Sequence, residues 1–388
     1  MAATYGDYQA EIYGAGLRGH VPRFPADFAT LEERASHALP RWVLDYVRAG
    51  AGDEHTQRAN AEAFTQWGLV PRMMVGEHRR DLSVNLFGID FPHPMFLCPI
   101  GILGLCSQDL HGDLLTARAA AATSTPMVLS TLSQDPMEEV ARELDGTPSF
   151  FQLYTPNDRD LAVSLVHRAE ASGFRALVIT LDTWITGWRP RDLNTGNFPQ
   201  LRGYCLSNYV TDEHFRKRLA VAPEDDPAAV TAEWARVFGY PLGWDDLSWI
   251  REATSLPIVL KGISHPEDVR KAIDLGVDGI YCSNHGGRQA NGGLPALQTL
   301  PAVVDAAGDT PVLFDSGIRS GSDMVKALAL GATMVGTGRP LAYALAVGGQ
   351  AGVDHHLRSF LAEADLLMAV NGYPDLARLR EAGLQRVQ

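Results

Sequence analysis

A (β/α)8 barrel is the fold that this sequence predicts, and three observations on residues 94–388 predict it. Short apolar runs alternate with amphipathic helical patterns along this part of the chain. The alternation occurs eight times in about 275 residues, which suits a closed barrel better than an open doubly wound sheet. Most of the apolar runs end in polar, charged or glycine residues, as the strands of a barrel with a site at one mouth would.

Residues 1–93 precede this alternation, and we predict a helical N-terminal segment that packs on the barrel. Thr30 and Glu33 have the spacing of a capping box, which predicts a helix that begins at Thr30. The Leu39-Pro40 pair predicts a break in that helix. Tyr46 lies just beyond the break, and the sequence leaves open whether its ring is buried in the core or points into a site.

The eight predicted strands are, in order, PMFLCPIG, PMVLST, SFFQLY, ALVITLDT, PIVLKGI, GIYCSNHGG, PVLFDSG and TMVGTGRP. An insertion at about 190–243 separates the fourth strand from its helix, and it is too long for an ordinary loop. Its aromatic residues favour an active-site lid, and the alternative is a solvated insertion that takes part in subunit packing. Because Cys205 lies in this insertion, we predict that it is the cysteine most open to oxidation.

Active groups of such barrels lie at the carboxyl ends of the strands. The residues found at the predicted ends are Gly101, Ser130, Gln152, Tyr154, Thr180, Asp182, Lys261, His285, Arg288, Asp315, Gly338 and Arg339. A barrel that served only as a scaffold would not need polar groups at so many of these positions. The strand ends therefore predict a functional site.

The last two strand ends predict a phosphate site. DSGIRSG and GTGRP contain Gly317 and Gly338, which allow close backbone approach, and Arg319 and Arg339, which supply positive charge. No GxGxxG follows an early strand, which argues against a nicotinamide dinucleotide. No HExxH motif or cysteine quartet is present, so we predict no metal.

His285 and Arg288 share the motif SNHGGRQ after the sixth strand. An imidazole that titrates near neutrality, beside a guanidinium that binds carboxylates, suits proton removal from a small acid. Lys261, at the end of the fifth strand, could be a Schiff-base amine or a positive charge beside an electron-accepting ring. The second interpretation is favoured by the neighbouring phosphate site.

Charge and cysteine usage limit the class of protein. The formal net charge of −13 argues against a nucleic-acid or anionic-membrane surface. The four cysteines form no CxxC pair, which predicts reduced thiols. Neither a signal-peptide pattern nor a run of about 18 apolar residues is present, so we predict a cytoplasmic protein.

These motifs resemble those of the FMN-dependent α-hydroxy-acid oxidoreductases, which include glycolate oxidase, lactate oxidase and mandelate dehydrogenase. The similar segments are SNHGGRQ, QLY at 152–154, TLDT with GWRPR, LKG at Lys261, DSGIRSG and GTGRP. Within the family, GDYQAEIYGAGL, DTWITGWRPRDL and NHGGRQANGGLPAL are most similar to the lactate 2-monooxygenase branch. The resemblance implies bound FMN, a small 2-hydroxy acid and O2 as partners, and a homo-oligomer of four or eight subunits.

The resemblance also implies roles for individual residues. His285 would take the hydroxyl proton of the substrate as its α-hydrogen leaves to the flavin, and Asp182 would hydrogen-bond the imidazole. Substrate would be bound by Tyr46, Tyr154, Arg189 and Arg288, with Tyr154 on its hydroxyl. Lys261 would stabilise the reduced ring. The remaining contacts to FMN would come from Ser130, Gln152 and Thr180 at the ring, Asp315 at the ribityl chain, and Gly317, Arg319, Gly338 and Arg339 at the phosphate. Asp182 and Asp315 could instead simply hold loops in place.

The implied reaction is conversion of L-lactate and O2 to acetate, CO2 and water. Many oxidases of the family carry alanine where this chain has Gly101, and we expect the missing methyl group to favour retention of pyruvate at the site. An oxidase or dehydrogenase that releases the keto acid is the alternative within the family. A phosphate-binding barrel isomerase and a flavin-binding protein without turnover are the alternatives from other classes.

Overall fold

The computed structural model describes residues 4–76 and 79–387. Before the barrel the chain forms four helices, α1 (Asp7–Gly16), α2 (Phe28–Ala38), α3 (Arg41–Arg48) and α4 (His55–Glu62), and a 3-10 turn at Ala63–Gln66. Three short strands follow, β1 (Trp67–Gly68), β2 (Val84–Leu86) and β3 (Ile89–Phe91), of which β2 and β3 form an antiparallel hairpin. The boundary predicted at 93/94 falls between β3 and the first barrel strand.

The predicted start of α2 is wrong by two residues. The helix begins at Phe28, and its cap is Asp27, whose side chain accepts a hydrogen bond of 2.9 Å from the Thr30 backbone N–H. Thr30 therefore receives the cap instead of providing it, because Asp27, three residues upstream, places a carboxylate oxygen at the free N–H groups of the first turn. The predicted break at Leu39-Pro40 is confirmed, since α2 ends at Ala38 and α3 begins at Arg41.

Eight parallel strands form the barrel, as predicted. They are β4 (Met95–Leu97), β5 (Val128–Ser130), β6 (Phe150–Leu153), β7 (Leu177–Thr180), β8 (Ile258–Lys261), β9 (Gly279–Cys282), β10 (Val312–Phe314) and β11 (Met334–Thr337). Hydrogen bonds link them in the order β4-β11-β10-β9-β8-β7-β6-β5. The remaining gap is bridged where Leu97 pairs with Met127 and its N–H donates to Pro126 O at 2.9 Å. The sheet therefore closes on itself.

Helices surround this sheet. Those between and after the strands are α5 (Gly112–Thr123), α6 (Met137–Glu143), α7 (Arg159–Ala171), α12 (Asp246–Glu252), α13 (Pro266–Asp274), α14 (Ala296–Ala307), α15 (Gly321–Ala329), α16 (Arg339–Asn371, kinked at Gly349) and α17 (Leu376–Ala382). The insertion after β7 contributes α8 (Pro190–Thr195), α9 (Ser207–Val210), α10 (Glu213–Arg216) and α11 (Pro227–Val237), and β12 (Gln385–Arg386) pairs with β1. Within residues 4–76 and 79–387, no helix has the length and apolar character needed to cross a membrane.

The amino-terminal end of the barrel is filled by aromatic side chains. Phe150, at the start of β6, packs edge-on against Phe87 and Phe91 of the hairpin, with ring centroids 6.4 and 6.2 Å apart. Deeper inside, Phe96 and Tyr281 meet edge-on at 5.4 Å. Burial of this cluster stabilises the amino-terminal half of the barrel, and the carboxyl ends of the strands are left to form the site.

The insertion packs on the barrel through its own aromatic residues. Tyr209, Phe215 and Trp234 are buried. The Asn208 side-chain amide donates to Thr131 O at 3.0 Å and to the Ser133 hydroxyl at 2.9 Å, which fixes the insertion to the loop after β5. The insertion is thus part of the folded core and not a solvated appendage.

Burial of the insertion also lowers the reactivity of its cysteine. The Cys205 side chain is 1% exposed, and desolvation raises the pKa of its thiol well above the ordinary value. A buried thiol that stays protonated reacts slowly with oxidants. The prediction that Cys205 is the cysteine most open to oxidation is therefore wrong.

Candidate active site

The carboxyl ends of the strands open into a cleft with an empty volume of about 1230 Å³, including space open to solvent. The predicted site residues that line it are Tyr46, Gly101, Tyr154, Arg189, Lys261, His285, Arg288, Asp315, Gly317, Arg319, Gly338 and Arg339. The other predicted residues, Ser130, Gln152, Thr180 and Asp182, do not line the cleft, and each bonds to a neighbour at its edge. The structure therefore brings all the predicted site residues to one end of the barrel.

His285 and Asp182 form the central pair of this site. The imidazole Nδ1 lies 2.9 Å from Asp182 Oδ1, and the Thr183 hydroxyl donates to the same carboxylate oxygen at 2.9 Å. A nitrogen this close to a carboxylate carries the proton, so Nε2 is left with its lone pair as a proton acceptor. Asp182 thereby fixes the tautomer that a general base requires.

The charges around this pair favour a neutral imidazole facing an ionised carboxylate. Burial lowers the pKa of His285, the nearby Lys261 ammonium lowers it further, and Asp182 opposes both effects. Burial alone would raise the pKa of Asp182, but the positive charges of His285 and Lys261 hold it well below its usual range. At neutral pH the imidazole is therefore ready to accept a proton.

Arg288 is held by the N-terminal segment. Its Nη1 donates to Tyr46 O at 2.8 Å and to Ala49 O at 2.6 Å, while Nε and Nη2 have no partner among the described residues. Burial, together with the repulsion from Arg189, lowers its pKa to about 9. A buried guanidinium with two unused donors at a cleft is a site for an anion, because a carboxylate would supply both hydrogen bonds and the missing charge.

Arg189 comes from the segment after β7 and is held by Gln289. Its Nη2 donates to Gln289 Oε1 at 2.6 Å and its Nε to Arg288 O at 3.1 Å. Gln289 in turn donates to Asp182 O at 2.7 Å and to Ile185 O at 2.8 Å. One amide side chain therefore joins the loop of Asp182 and Arg189 to the loop of His285 and Arg288.

Tyr46 lies between the two arginines, which settles the question that its sequence context left open. The Arg288 guanidinium lies 4.9 Å from the centre of its ring and that of Arg189 lies 5.8 Å away. Phe198 of the insertion packs edge-on against the same ring at 6.0 Å. Tyr46 is thus both buried and part of the cleft wall.

The insertion contributes an apolar wall to the cleft. Phe198 stacks on Trp234 at 6.3 Å, Trp234 contacts Phe238 at 4.9 Å, and Phe238 meets Tyr154 at 5.6 Å. Phe198, Phe238 and Tyr154 line the cleft. Burial raises the pKa of Tyr154 above its ordinary value, so its hydroxyl remains a neutral donor.

Three strand ends present a continuous polar edge. The Ser130 hydroxyl donates to Gln152 Oε1 at 3.0 Å, and Gln152 Nε2 donates to the Thr180 hydroxyl at 2.9 Å. The side chains come from β5, β6 and β7, which are neighbours in the sheet. Such a row can offer donors and acceptors to the edge of a planar ring.

Lys261 and Asp315 are connected through Ser283. The ammonium of Lys261, 3% exposed, donates to the Ser283 hydroxyl at 3.2 Å, and that hydroxyl donates to Asp315 Oδ1 at 2.5 Å. Tyr281 donates to the other Asp315 oxygen at 2.8 Å. The Lys261 ammonium also lies 5.3 Å from the centre of the Tyr281 ring, and since it has three N–H donors and one hydrogen-bond partner among the described residues, two donors are available to a ligand.

Two arginines lie at the predicted phosphate end, and only one of them has a guanidinium group without hydrogen bonds to the described residues. Arg319 lies over the Phe28 ring at 4.6 Å, and its guanidinium has no hydrogen bond to the described residues. Arg339 instead donates to Val47 O at 3.0 Å, Ala49 O at 3.1 Å and Gly286 O at 3.1 Å. Arg339 therefore joins the N-terminal segment to the His285 turn.

A close backbone approach at Gly317 explains the glycine there. Its φ is +96°, and a Cβ would lie 2.4 Å from Asn60 O of α4. At the other end of the cleft, the Gly101 carbonyl accepts a hydrogen bond of 2.9 Å from Gln200 of the insertion. A Cβ on Gly101 would lie 3.2 Å from the Leu132 Cβ, so the space there is nearly filled already.

Several residues that contribute to this site were not predicted from the sequence. They are Thr183, Ser283, Gln289 and Ser316, which bond to the predicted residues, and Leu132 and Phe238, which line the cleft. Thr183, Gln289 and Ser316 stand directly beside predicted residues, and Ser283 stands two positions before His285, in TLDT, SNHGGRQ and DSG. Their position at strand ends was a usable signal, whereas nothing in the local sequence marks Phe238.

Comparisons with known proteins agree with this geometry. The sequence model of the family described as FMN-dependent dehydrogenase matches residues 35–386. An FMN-dependent alpha-hydroxy acid dehydrogenase of Penicillium citrinum is 37% identical over 99% of this chain and 96% of its own length. An L-lactate oxidase of Lysinibacillus sphaericus is 39% identical over 92% of each chain. The crystal structure of a mandelate oxidase superposes with a TM-score of 0.83 at 35% identity, over 93% of this chain and 99% of that one. The chain belongs to the FMN-dependent dehydrogenase family, and FMN is its cofactor.

Proposed function

We propose that this protein oxidises L-2-hydroxy acids, with L-lactate as the first candidate, and that acetate is the final product from lactate. The observation that carries the first part is the pairing of a buried imidazole, bonded to Asp182, with two guanidinium groups that have unused donors in the same cleft. A proton acceptor beside an anion site is what removal of a hydroxyl proton from a hydroxy acid requires.

The residues around the cleft fit FMN. A planar ring would be held by the polar edge of Ser130, Gln152 and Thr180, and a phosphate by the Arg319 guanidinium and the backbone near Gly317. The surroundings of Gly338 also fit a phosphate, because a Cβ there would meet only one atom, at 4.0 Å, which leaves open space beside the backbone. Asp315 lines the cleft between these two ends, where the ribityl chain would run. FMN, when bound, supplies the acceptor for the two electrons that leave the substrate.

The substrate carboxylate would be bound by the arginines. Arg288 retains Nε and Nη2, and Arg189 retains Nη1, as donors without a partner among the described residues. Two oxygens of a carboxylate can use these donors, and the Tyr46 hydroxyl lies on the same wall. Tyr154, which lines the cleft and is kept neutral by burial, would contact the substrate hydroxyl.

The proton step belongs to His285. Its Nε2 takes the hydroxyl proton of the substrate, and the resulting imidazolium is stabilised by the Asp182 carboxylate 2.9 Å from Nδ1. The charge of Lys261 stabilises the negative charge that accumulates on the electron acceptor. Phe198, Phe238 and Leu132 give the cleft an apolar wall beside these groups.

The acetate-forming outcome depends on retention of the first products. Oxidation of lactate gives pyruvate, and return of the two electrons to O2 gives hydrogen peroxide. If both remain in the closed site, the peroxide attacks the keto carbon, its O–O bond breaks, and the carboxyl group leaves as CO2, giving acetate and water. Three features support this outcome. The sequence resembles the lactate 2-monooxygenase branch, and the chain has Gly101 at the cleft. Gln200 of the insertion donates a hydrogen bond to the Gly101 carbonyl, so the insertion is in position to act as a lid. Cytoplasmic location and homo-oligomeric assembly stay predictions.

Turnover of purified holoenzyme tests the proposal. L-lactate is added without oxygen, loss of the flavin absorbance is followed, oxygen is admitted, and acetate, pyruvate and peroxide are quantified. Bleaching followed by acetate without free peroxide supports both parts. Pyruvate with an equal amount of peroxide indicates an oxidase, and bleaching with slow reoxidation indicates a dehydrogenase. Absence of bleaching with lactate, glycolate and mandelate contradicts the hydroxy-acid proposal itself.

A further inference from the structure

Two residues other than glycine adopt the left-handed backbone conformation side by side in the site. His285 has φ of +57° in the turn after β9, and Ser316 has φ of +84° in the loop after β10. Residues other than glycine visit this region rarely because the Cβ crowds the backbone; Asn, Asp and His do so more often than the others, so Ser316 is the more unusual of the two. Both residues line the cleft, so the strain lies at the functional end of the barrel.

The side chain of Ser316 bonds to the turn that carries His285. Its hydroxyl oxygen accepts hydrogen bonds from the backbone N–H groups of Asn284, at 3.3 Å, and Gly286, at 3.1 Å. The N–H of His285 itself, between these two, donates to the Ser283 hydroxyl at 3.0 Å. The backbone N–H groups of residues 284–286 therefore all donate to the hydroxyls of Ser316 and Ser283.

Both hydroxyls are oriented by one carboxylate oxygen. Asp315 Oδ1 accepts from Ser316 at 2.7 Å and from Ser283 at 2.5 Å. An ionised carboxylate can only accept, so each hydroxyl proton points at Asp315 and each lone pair is left for the backbone donors. The other Asp315 oxygen accepts from Tyr281, which keeps the carboxylate from rotating away.

We propose that Ser316 is a positioning residue: its hydroxyl, oriented by Asp315, holds the left-handed turn that keeps the His285 imidazole against Asp182 and facing the cleft. Glycine would adopt the Ser316 conformation without strain, and what serine adds is the hydroxyl. Asp315 then has a second task beside any contact with the ribityl chain.

The proposal explains how a turn with two glycines can hold an imidazole in one place. Gly286 and Gly287 follow His285 and permit many conformations. Asp182, Lys261 and Arg189 act on the charge of the imidazole from their own segments, and the hydrogen-bond partners of its Nδ1 are Asp182 Oδ1 at 2.9 Å and the Thr183 hydroxyl at 3.1 Å. These contacts hold the ring at one nitrogen, and the backbone of the turn that carries the ring is held by Ser316 and Ser283.

The test is the Ser316→Gly substitution, which removes the hydroxyl and tolerates the backbone angle. Ser124→Gly is the matched control, since Ser124 also has positive φ, at +52°, is exposed at the end of α5, and its side chain has no hydrogen bond to the described residues. Hydrogen–deuterium exchange is measured by mass spectrometry over residues 283–288, with and without FMN. We expect faster exchange of this segment in Ser316→Gly and no change in Ser124→Gly.

Kinetics supply the second readout, and this arm rests on the function proposed above. In Ser316→Gly we expect kcat with L-lactate to fall by about 10- to 100-fold, as for a misplaced reacting group, with little change in KM. Because burial is the main reason that the pKa of His285 is low, a loosened turn should move the acid limb of kcat/KM upward, toward about 6.5. Ser124→Gly should leave kcat, KM and the acid limb unchanged.

Unchanged exchange over residues 283–288 in Ser316→Gly would overturn the proposal, whatever the kinetics show. Should Ser316→Gly lose FMN, its exchange is compared with that of wild-type protein and Ser124→Gly prepared without FMN, and exchange over residues 283–288 must still be faster in Ser316→Gly. Failure of the function itself is recognised separately, by wild-type protein whose flavin no hydroxy acid bleaches.

Discussion

His285 Nδ1 and Asp182 Oδ1 lie 2.9 Å apart, although the two residues stand 103 positions apart in the sequence. The carboxylate comes from the end of β7 and the imidazole from the turn after β9, with Lys261 at the end of β8 between them. Three neighbouring strands thus supply a carboxylate, an ammonium and an imidazole. The arrangement keeps Asp182 ionised and His285 neutral, which separates the roles of the two groups.

Replacing His285 with glutamine should abolish oxidation of the hydroxy acid while FMN stays bound. General-base catalysis contributes about 10²- to 10⁴-fold, so anaerobic flavin bleaching by L-lactate should slow by that factor. His214→Gln is the control, because His214 is exposed on α10 in the insertion and should leave the rate unchanged. Bleaching at the wild-type rate in His285→Gln would remove His285 from the proposed mechanism.

Replacing Asp182 with asparagine should change the pH dependence in a defined direction. The base is active when neutral, so kcat/KM rises as pH increases through the pKa of His285, which lies below its ordinary value. Asp182 raises that pKa, and its removal should move the acid limb to still lower pH while the plateau falls by about 100-fold or more. A pH–rate profile measured from pH 4 to 8 checks both effects, since an acid limb that stays in place or moves upward contradicts the assignment.

The barrel, and the residues that lie at its open end, could be predicted from the sequence because both depend on local signals. Apolar runs identify strands, and the residue that ends a parallel strand must lie at the same mouth as the others. What the sequence could not show are contacts between distant segments. The Arg288 and Arg339 guanidinium groups donate hydrogen bonds to carbonyl oxygens of residues 46–49. These bonds depend on how the N-terminal segment docks on the barrel. The start of α2 was wrong for a local reason, since Asp27 and Thr30 are both good caps and spacing alone does not rank them.

Replacing Arg288 with lysine should weaken substrate binding more than it slows the chemical step. Lysine cannot keep the bonds to Tyr46 O and Ala49 O while offering two parallel donors to a carboxylate. Loss of a charge-assisted hydrogen bond of about 1.5–3 kcal/mol corresponds to a rise in KM of about 10- to 100-fold. Steady-state kinetics with L-lactate measure this, and Arg270→Lys, at an exposed position on α13, is the control. Equal KM values for Arg288→Lys and wild type would show that the carboxylate binds elsewhere.

Replacing Asn60 with alanine should destabilise the protein through the docking of the N-terminal segment. The side-chain amides of Asn60 and Asn284 exchange two hydrogen bonds of 2.8 Å, and Asn60 Oδ1 also accepts from Ala296 N at 3.0 Å. Removing Asn60 leaves the buried Ala296 N–H and one amide hydrogen of the half-buried Asn284 without this partner, at about 1–3 kcal/mol. Thermal unfolding should show a lower melting temperature than in Asn194→Ala, where an exposed asparagine of α8 is removed. Identical melting temperatures for the two variants would mean that water replaces the lost amide.

Replacing Gly101 with alanine should change the products without preventing oxidation. The new Cβ would lie 3.2 Å from the Leu132 Cβ, so the methyl group fills space in the cleft and pushes Leu132 by a few tenths of an ångström. If retention of pyruvate and peroxide depends on that space, the variant should release more pyruvate and peroxide and form less acetate for each lactate consumed. Acetate, pyruvate and peroxide are quantified together, with Gly293→Ala as the control, because a Cβ at Gly293 meets no atom within 4 Å.

The companion variant Gly101→Ala/Leu132→Ala separates space from other effects of the methyl group. Both residues line the cleft, and shortening Leu132 to Ala removes three carbon atoms, which frees more space than the new methyl group takes. Recovery of acetate in the double variant would assign the effect to space at the site. An acetate yield that stays at the wild-type level in Gly101→Ala would instead show that retention is controlled elsewhere, and Phe198 and Phe238 of the insertion would become the groups to change next.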